Sequence, residues 1–234
     1  MKKFELDEDC IYILKTEFSK DAKEIKLYES FLSEDEIYKA SRFRLINLTN
    51  NYITSRGILR KILSYYLDIK PSSVKFSYTP NGKPFVENSP LKFNLSHTKT
   101  IVVYAFTLTD EIGIDTERLR VIPDSIRIAE RFFSSYERVD LRNVPRDQID
   151  YAFLNCWTRK ESFIKASGEG LSYSLKNFSV SVIPESAPGV LWIKDKEYEA
   201  NEWALHDINI SSDHLSSLAV KNKFKKIVYC DSHI

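Results

Sequence analysis

The strongest constraint on the fold of this chain is an apolar run at residues 101–107, which reads I-V-V-Y-A-F-T. β-Branched and aromatic residues without a breaker predict a mostly buried strand. A turn near Asp110 separates this run from residues 112–117, I-G-I-D-T-E, which we expect to be extended again. Since successive side chains of a strand point to opposite faces, Asp115 and Glu117 should share one face and the two isoleucines the other.

Two carboxylates on one face of a strand repel each other unless protons or a cation lie between them. A hard divalent ion with oxygen ligands is the natural partner, and Mg²⁺ suits a site that also binds phosphate oxygens. A solvated acidic turn is the simpler interpretation of an isolated D-x-E sequence, because short motifs are only hypotheses. The pattern around Asp115 and Glu117 therefore needs support from elsewhere in the chain.

A second pattern predicts a helix over residues 148–166, where apolar residues recur with helical spacing. Gly168 and Gly170 follow it and should end it. Glu161 and Lys165 are four residues apart and therefore lie on one face of this helix. Such a pair is also a common surface ion pair, so the helix alone does not indicate an active site.

Together the two patterns resemble the Sfp-type 4'-phosphopantetheinyl transferases, whose hallmarks are a G-[IV]-D-x-E strand end and a W-x-x-K-E-[SA]-x-x-K helix. Both hallmarks are complete here, at residues 113–117 and 157–165. The resemblance extends from about Lys39 to Val180. Four further segments match in the same order: G-K-P at 82–84, F-N-L-S-H at 93–97, R-F-F-S-S-Y-E at 131–137 and G-E-G-L-S at 168–172.

The resemblance implies an α+β fold of two similar lobes related by pseudo-twofold symmetry, with the active site in the cleft between them. We expect an N-terminal lobe at residues 1–109 on the coenzyme A side. A C-terminal lobe at 110–221 should carry the metal ligands and the catalytic helix, and a strand within 222–234 should return to the first lobe. A faint internal repeat agrees with this division, since F-N-L-S at 93–96 is echoed by I-N-I-S at 208–211.

The implied reaction is Mg²⁺-dependent transfer of the 4'-phosphopantetheine arm of coenzyme A to a serine of an apo acyl or peptidyl carrier protein. The second product is 3',5'-ADP. By resemblance, Asp115, Glu117 and Glu161 are the expected metal ligands, with Mn²⁺ as an alternative ion. Glu161 would also orient or deprotonate the serine, directly or through a metal-bound water. Lys165 would hold a phosphate oxygen and stabilise the departing charge, as a flexible point charge can.

The resemblance also suggests where coenzyme A binds. Ser96 and His97 are expected to contact its phosphates, with His97 near the 3'-phosphate. Lys83 is expected to reach the pyrophosphate or adenine region. An ordinary loop histidine bonded to backbone groups is the alternative for His97.

One departure from the family pattern concerns the 3'-phosphate. Many members carry an arginine just before the residue that opens the second helix, and this chain has Asn51 there. Either Arg56 or Lys39 compensates, or the 3'-phosphate is held less firmly. Lys39, Arg42 and Arg56 are therefore candidate ligands for the 3'-phosphate, although such charges usually only solvate a helix face.

A carrier protein of this class is typically acidic around its serine, and a basic and apolar rim would complement it. We expect this rim at residues 121–136 and the start of the long helix. The two phenylalanines within it, Phe132 and Phe133, could instead belong to the core, and we expect this of at least one of them. Positive charge would come from Arg118, Arg120, Arg127 and Arg131.

Composition agrees with this interpretation without deciding it. Lys and Arg total 34 against 33 Asp and Glu, so no charge excess points to nucleic acid. No apolar stretch has the length of a membrane span or the pattern of a signal peptide. The three cysteines fit neither a zinc site nor a disulfide framework. These features favour the cytoplasm, and we expect the protein to be a monomer. The association of the two-lobed group with secondary-metabolite synthases comes from the resemblance alone.

Two other functional classes remain open. One is a different Mg²⁺ enzyme, such as a nuclease or phosphohydrolase, that uses the same three carboxylates. The other is a catalytically inactive relative that only binds carrier protein. Transfer to a carrier, or turnover of a phosphate ester without one, distinguishes these classes from the main interpretation.

Overall fold

The computed structural model describes residues 6–108, 110–170, 172–184, 186–222 and 225–230. Within these ranges the helices are α1 Ala22–Glu29, α2 Glu34–Ser41, α3 Ile46–Leu67, α4 Ser125–Phe132, α5 Ser135–Asn143 and α6 Ile149–Ser167. The strands of the N-terminal half are β1 Cys10–Glu17, β2 Ser77–Tyr78, β3 Pro84–Phe85, β4 Leu91–His97 and β5 Ile101–Leu108. The remaining strands are β6 Ile112–Arg118, β7 Phe178–Val180, β8 Val190–Ile193, β9 Trp203–Asp207, β10 His214–Lys221 and β11 Lys226–Cys230.

The fold is mixed α and β, with two principal sheets between two long helices. The first sheet has the strand order β11-β1-β5-β4 and the second has the order β6-β10-β9. One face of the first sheet packs on α3, and its other face packs on the second sheet. The far face of the second sheet packs on α6. The layers therefore run helix, sheet, sheet, helix.

The central strand β5 shows why the run at residues 101–107 has no polar interruption. Alternate side chains join two different apolar clusters, one against α3 and one between the sheets. A strand that is buried on both faces reads as continuous apolar sequence rather than as an alternation. The strand predicted at residues 101–107 and the helix predicted at 148–166 are confirmed as β5 and α6, each within one residue at either end.

A buried cation fixes the long helix of the first half. Arg60 lies 2.6 Å from Glu36 and also donates to the carbonyl of Val74 at 2.9 Å. Glu36 closes the capping box at the start of α2 with Ser33. A buried charge is tolerated when it is paired and hydrogen-bonded in this way.

The second half contains the same kind of arrangement. Lys160 of α6 lies 2.6 Å from Glu137 and donates to the carbonyl of Phe178 at 2.8 Å. Glu137 closes the capping box of α5 with Ser134. In both halves, the long helix is thus held by a buried cation that bonds a capping glutamate of a short helix and a backbone carbonyl.

The C-terminal strand β11 lies beside β1 in parallel register, from Cys10 opposite Lys226 to Leu14 opposite Cys230. Lys225, just before it, donates to the carbonyl of Leu108 at 3.1 Å. The division into lobes at residues 1–109 and 110–221 stays a prediction, and Thr109 at its boundary lies outside the described residues. In the described part of the chain, no helix has the length and apolar character needed to cross a membrane.

Candidate active site

The site begins where α6 packs directly on β6 at Gly113. A Cβ atom added to Gly113 would lie 2.2 Å from the carbonyl oxygen of Ser162 and 2.3 Å from the amide nitrogen of Ala166. Only a residue without a side chain allows the two backbones to approach so closely. Asp115 is two residues further along the strand, so its side chain points towards the same helix.

Asp115 is buried and has two differently bonded carboxylate oxygens. Its Oδ1 accepts hydrogen bonds from Lys165 Nζ at 2.7 Å and from Ser96 Oγ at 2.9 Å. Its Oδ2 is buried without a protein partner. Because buried polar atoms are nearly always bonded, Oδ2 is available for a further ligand. The predicted approach of residues 113–117 to Lys165 is thus observed at this carboxylate.

Side chains of β4 in the first sheet form hydrogen bonds with β6 in the second sheet. Asn94 Oδ1 accepts from the amide of Ile114 at 2.9 Å, and Ser96 Oγ accepts from the amide of Thr116 at 3.2 Å. These bonds satisfy amides on the edge strand β6 that have no strand partner on that side. Ser96, predicted to contact phosphate, is therefore buried and bonded to the strand that carries Asp115.

Sequence reasoning assigned no role to Asn94. The signal was present in the F-N-L-S motif, because Asn94 and Ser96 alternate with apolar residues at a spacing of two. That spacing places both polar side chains on one face of a strand. It would have predicted a pair of bonds to a neighbouring segment.

Glu161 lies on the α6 face near the same carboxylate. Burial raises the pKa of its side chain, and the charges of Asp115 and Glu117 raise it further, while Lys165 opposes them. Glu117 itself pairs with Arg120, whose Nη1 lies 2.8 Å from Glu117 Oε2. Negative charge therefore accumulates around Glu161.

Among the described residues, no three or more acidic, histidine or cysteine side chains are grouped closely enough to hold a metal ion. The donor chemistry nevertheless fits a hard divalent cation. Asp115 offers an unpartnered carboxylate oxygen, and Glu161 is a carboxylate surrounded by like charges. Such oxygens are the ligands that Mg²⁺ prefers.

Lys83 connects the G-K-P segment to the end of α6. Its Nζ donates to Glu111 Oε2 at 2.8 Å and to the carbonyl of Ala166 at 2.9 Å. Burial lowers the pKa of Lys83, although Glu111 opposes this effect. A groove of about 240 Å³ lies beside it, lined among others by Pro84, Phe85, Lys92 and Phe93.

His97 lies exposed at the end of β4, at the start of the turn into β5. Its Nδ1 is 3.3 Å from the carbonyl of Thr98, and its ring packs edge-on against Phe18. Asn51 does not precede the helix as the family pattern predicts, because α3 begins at Ile46 and includes it. Its side chain donates to the carbonyl of Lys99 in the same turn at 3.3 Å. The residue that replaces the family arginine thus lies next to the turn that carries His97.

The three cations predicted near the 3'-phosphate differ in how exposed their side chains are to a phosphate ligand. Lys39 and Arg42 are exposed at the end of α2. Arg56 is buried and pairs with Glu36, with its Nε 2.7 Å from Glu36 Oε1. Arg56 already uses its Nε and Nη2 on Glu36, so the exposed Lys39 and Arg42 are the better candidates for compensation.

The rim predicted to meet a carrier protein is partly core. Phe133 is completely buried, which confirms that at least one of the two phenylalanines is core, while Phe132 is 36% exposed. Val121 and Tyr136 at the two ends of the rim are exposed. The arginines Arg118, Arg120 and Arg127 have side chains that are more than half exposed.

Comparison with known proteins gives matches over most of the chain. The family model of the 4'-phosphopantetheinyl transferase superfamily matches residues 111–219. A second model, 4'-phosphopantetheinyl transferase, N-terminal, matches residues 16–109. The two matches meet at the short segment between β5 and β6.

Individual relatives carry the same description. The chain is 32% identical over 216 residues to the 4'-phosphopantetheinyl transferase HetI of Nostoc sp., which covers 91% of this chain and 88% of the relative. It is 37% identical over 160 residues to the 4'-phosphopantetheinyl transferase Sfp of Bacillus subtilis, covering 68% and 70% of the two chains. Among solved structures, the holo-[acyl-carrier-protein] synthase of Thermotoga maritima matches 48% of this chain and 63% of that one, with 21% identity and a TM-score of 0.38.

Proposed function

This chain belongs to the 4'-phosphopantetheinyl transferase superfamily and transfers phosphopantetheine from coenzyme A to carrier proteins, and we propose that it does so with Mg²⁺ and releases 3',5'-ADP. The observation that carries this proposal is the Asp115 carboxylate. One of its oxygens is held by Lys165 at 2.7 Å, and the other is buried without a partner beside Glu161.

Asp115, Glu117 and Glu161 would hold the metal ion. A divalent ion bound there would neutralise pyrophosphate charge as a Lewis acid. Glu117 joins this set when its contact with Arg120 opens. Asp115 and Glu117 lie on β6, and Glu161 lies on α6. The two elements are packed together at Gly113.

Glu161 receives the proton of the carrier serine. A carboxylate within hydrogen-bonding reach of the serine hydroxyl can act as its general base. Burial and the neighbouring Asp115 raise the pKa of Glu161, and its place on α6 keeps it beside the reacting groups. As the serine oxygen bonds to the pantetheine-bearing phosphorus, the P–O bond that joins this phosphorus to 3',5'-ADP breaks. Lys165 places a positive charge beside that bond, so it stabilises the departing phosphate. Its contacts with Asp115 and Ser96 fix the ammonium group there before substrate binds.

Coenzyme A would run from this centre along the N-terminal half. His97, which is exposed, receives the 3'-phosphate with Lys39 and Arg42. The groove beside Lys83 receives the adenine, since the wall of this groove includes the apolar side chains of Pro84, Phe85 and Phe93. Lys83 is already bonded to Glu111 and Ala166, so it shapes this groove rather than reaching far into solvent.

We also place the two lobes in a pseudo-twofold relation. The repeated capping glutamate and buried cation support it, as Glu36 with Arg60 and Glu137 with Lys160. The chain would act as a monomer in the cytoplasm, where a reducing environment suits cysteines that form no disulfide among the described residues.

Incubation with Mg²⁺, coenzyme A and an apo carrier protein tests the function. We expect the carrier to gain the mass of one phosphopantetheine, and 3',5'-ADP to appear in equal amount. A carrier whose acceptor serine is replaced by alanine is the control and should gain nothing, and a chelator should stop the reaction. The proposal fails if a panel of acyl and peptidyl carriers gains no mass, and release of phosphate without a carrier would support a hydrolase instead.

The exposed arginines of the rim should speed the encounter with an acidic carrier. Reversing the charge with Arg127→Glu should raise the KM for the carrier severalfold at low salt, because long-range attraction is lost. The effect should shrink as salt screens the charges, and the KM for coenzyme A should not change. Lys20→Glu, an equal charge change at an exposed position before α1, is the control; an equal effect in both variants would contradict docking at the rim.

A further inference from the structure

His214, the first residue of β10, is a buried histidine outside the carboxylate site. Its Nδ1 lies 2.8 Å from Asp213 Oδ1 and 2.8 Å from Ser211 Oγ. Ser211 and Asp213 contact the same ring nitrogen, so the ring cannot pass a proton between them as the histidine of a nucleophilic triad does. Their effect is to fix the orientation of the ring.

The other ring nitrogen of His214 reaches across to the first sheet. Its Nε2 lies 3.4 Å from Thr98 Oγ1, in the turn between β4 and β5. With Nδ1 donating to the Asp213 carboxylate, Nε2 is left as an acceptor and the hydroxyl of Thr98 donates to it. The same hydroxyl oxygen accepts from the amides of Thr100 at 3.3 Å and Ile101 at 3.4 Å. The ring is thus joined through one hydroxyl to the backbone of the turn.

The strand that carries His214 also pairs with the strand that carries the carboxylates. On β10, Ser217 lies opposite Asp115, and His214 lies opposite Arg118. The turn held by His214 begins directly after His97. Strand β10 therefore holds two parts of the site. Its Ser217 pairs with Asp115, and its His214 contacts the turn that follows His97.

We propose that His214 is a positioning residue for coenzyme A, which acts through Thr98 to hold His97 at the right distance from Asp115 for the 3'-phosphate. This inference rests on the proposed function and deepens it. A purely structural role for His214 would lower stability without changing which part of coenzyme A the enzyme recognises. Recognition of the 3'-phosphate itself is therefore the quantity to measure.

The test compares coenzyme A with 3'-dephospho-coenzyme A as substrates. We expect the wild-type enzyme to have the lower KM for coenzyme A. His214→Phe keeps a ring but removes both nitrogens, and it should raise the KM for coenzyme A about fivefold, as the loss of one useful hydrogen bond does. The KM for the dephospho substrate and both kcat values should stay the same, so the preference for the 3'-phosphate shrinks. His214→Gln, whose amide oxygen can accept from Thr98, should restore part of the preference for coenzyme A over the dephospho substrate.

Two controls complete the experiment. His97→Ala should abolish the same preference, because it removes the proposed phosphate contact itself. His206→Phe, at a half-buried histidine of β9, should leave the preference unchanged. If circular dichroism shows that His214→Phe is unfolded, Thr98→Val gives the same test from the other side of the contact.

The outcomes separate this inference from the proposed function. If the wild-type enzyme transfers nothing to any carrier, the proposed function fails. The positioning role of His214 is wrong if the wild-type enzyme transfers from coenzyme A and 3'-dephospho-coenzyme A equally well. It is also wrong if His214→Phe and Thr98→Val keep the full preference for coenzyme A. A collapse of the preference with unchanged kcat supports it.

Discussion

Glu161→Gln should lower kcat by about a thousandfold, in the range that removal of a positioned general base produces. Glutamine has the shape of glutamate but neither its charge nor its ability to take the serine proton. Stability should not fall with activity. Burial and the charges of Asp115 and Glu117 disfavour the ionised form of Glu161, so a neutral side chain relieves repulsion in the folded protein.

The measurement is the rate of carrier mass gain at saturating coenzyme A, together with the melting temperature. Glu29→Gln is the matched control, since it makes the same change at an exposed position of α1 outside the proposed site, and it should leave kcat unchanged. An independent readout is the binding of Mn²⁺ followed by electron paramagnetic resonance, which should weaken in the Gln variant. Near-normal turnover in Glu161→Gln would exclude the role of base.

Gly113→Ala should cost about 3 kcal/mol of unfolding free energy, at the upper end of the usual range for overpacking. The added methyl would lie 2.2 Å from the carbonyl oxygen of Ser162, and the backbone of α6 cannot move aside as a flexible side chain could. For a chain of this size the loss corresponds to a fall in melting temperature of roughly 6 to 12 °C. Activity should fall as well, because any shift of α6 separates Lys165 from Asp115.

Gly189→Ala is the control for this second prediction. A Cβ atom at Gly189 would come no closer than 4.0 Å to its nearest neighbour. That substitution should therefore change stability by less than about 1 kcal/mol. Denaturant unfolding of both variants is the measurement, and equal stabilities would show that α6 and β6 are not tightly packed at Gly113.

The sequence predicted those parts of the fold that depend on local pattern. The strand at 101–107 and the helix at 148–166 begin and end within one residue of their predicted bounds. Burial on both faces gives the strand a continuous apolar run, and packing gives the helix an apolar stripe with helical spacing. The approach of Asp115 to Lys165 was also expected, and the structure contains it. The roles of Glu117 and Glu161 in metal binding stay predictions.

Partners of long polar side chains were much harder to predict. Spacing shows which face of a helix carries Arg56, but not that Glu36, twenty residues earlier, lies close enough to bind it. Lys83 likewise bonds to the end of α6, which is distant in sequence. Such contacts depend on how elements pack, and no local pattern records them. The carboxylate partner of Ser96 was missed for the same reason.

The parallel pairing of β11 with β1 has a consequence for how the protein is made. The strands of the second sheet are translated between these two, so a ribosome must synthesise the whole C-terminal half before β1 can gain its outer neighbour. Until then β1 is an open edge, with unpaired amides and carbonyls that can recruit another chain. Contacts of such long sequence separation also form slowly. The nascent N-terminal half should therefore be the stage most prone to aggregation, and expression at lower temperature or with a chaperone should raise the yield of soluble enzyme.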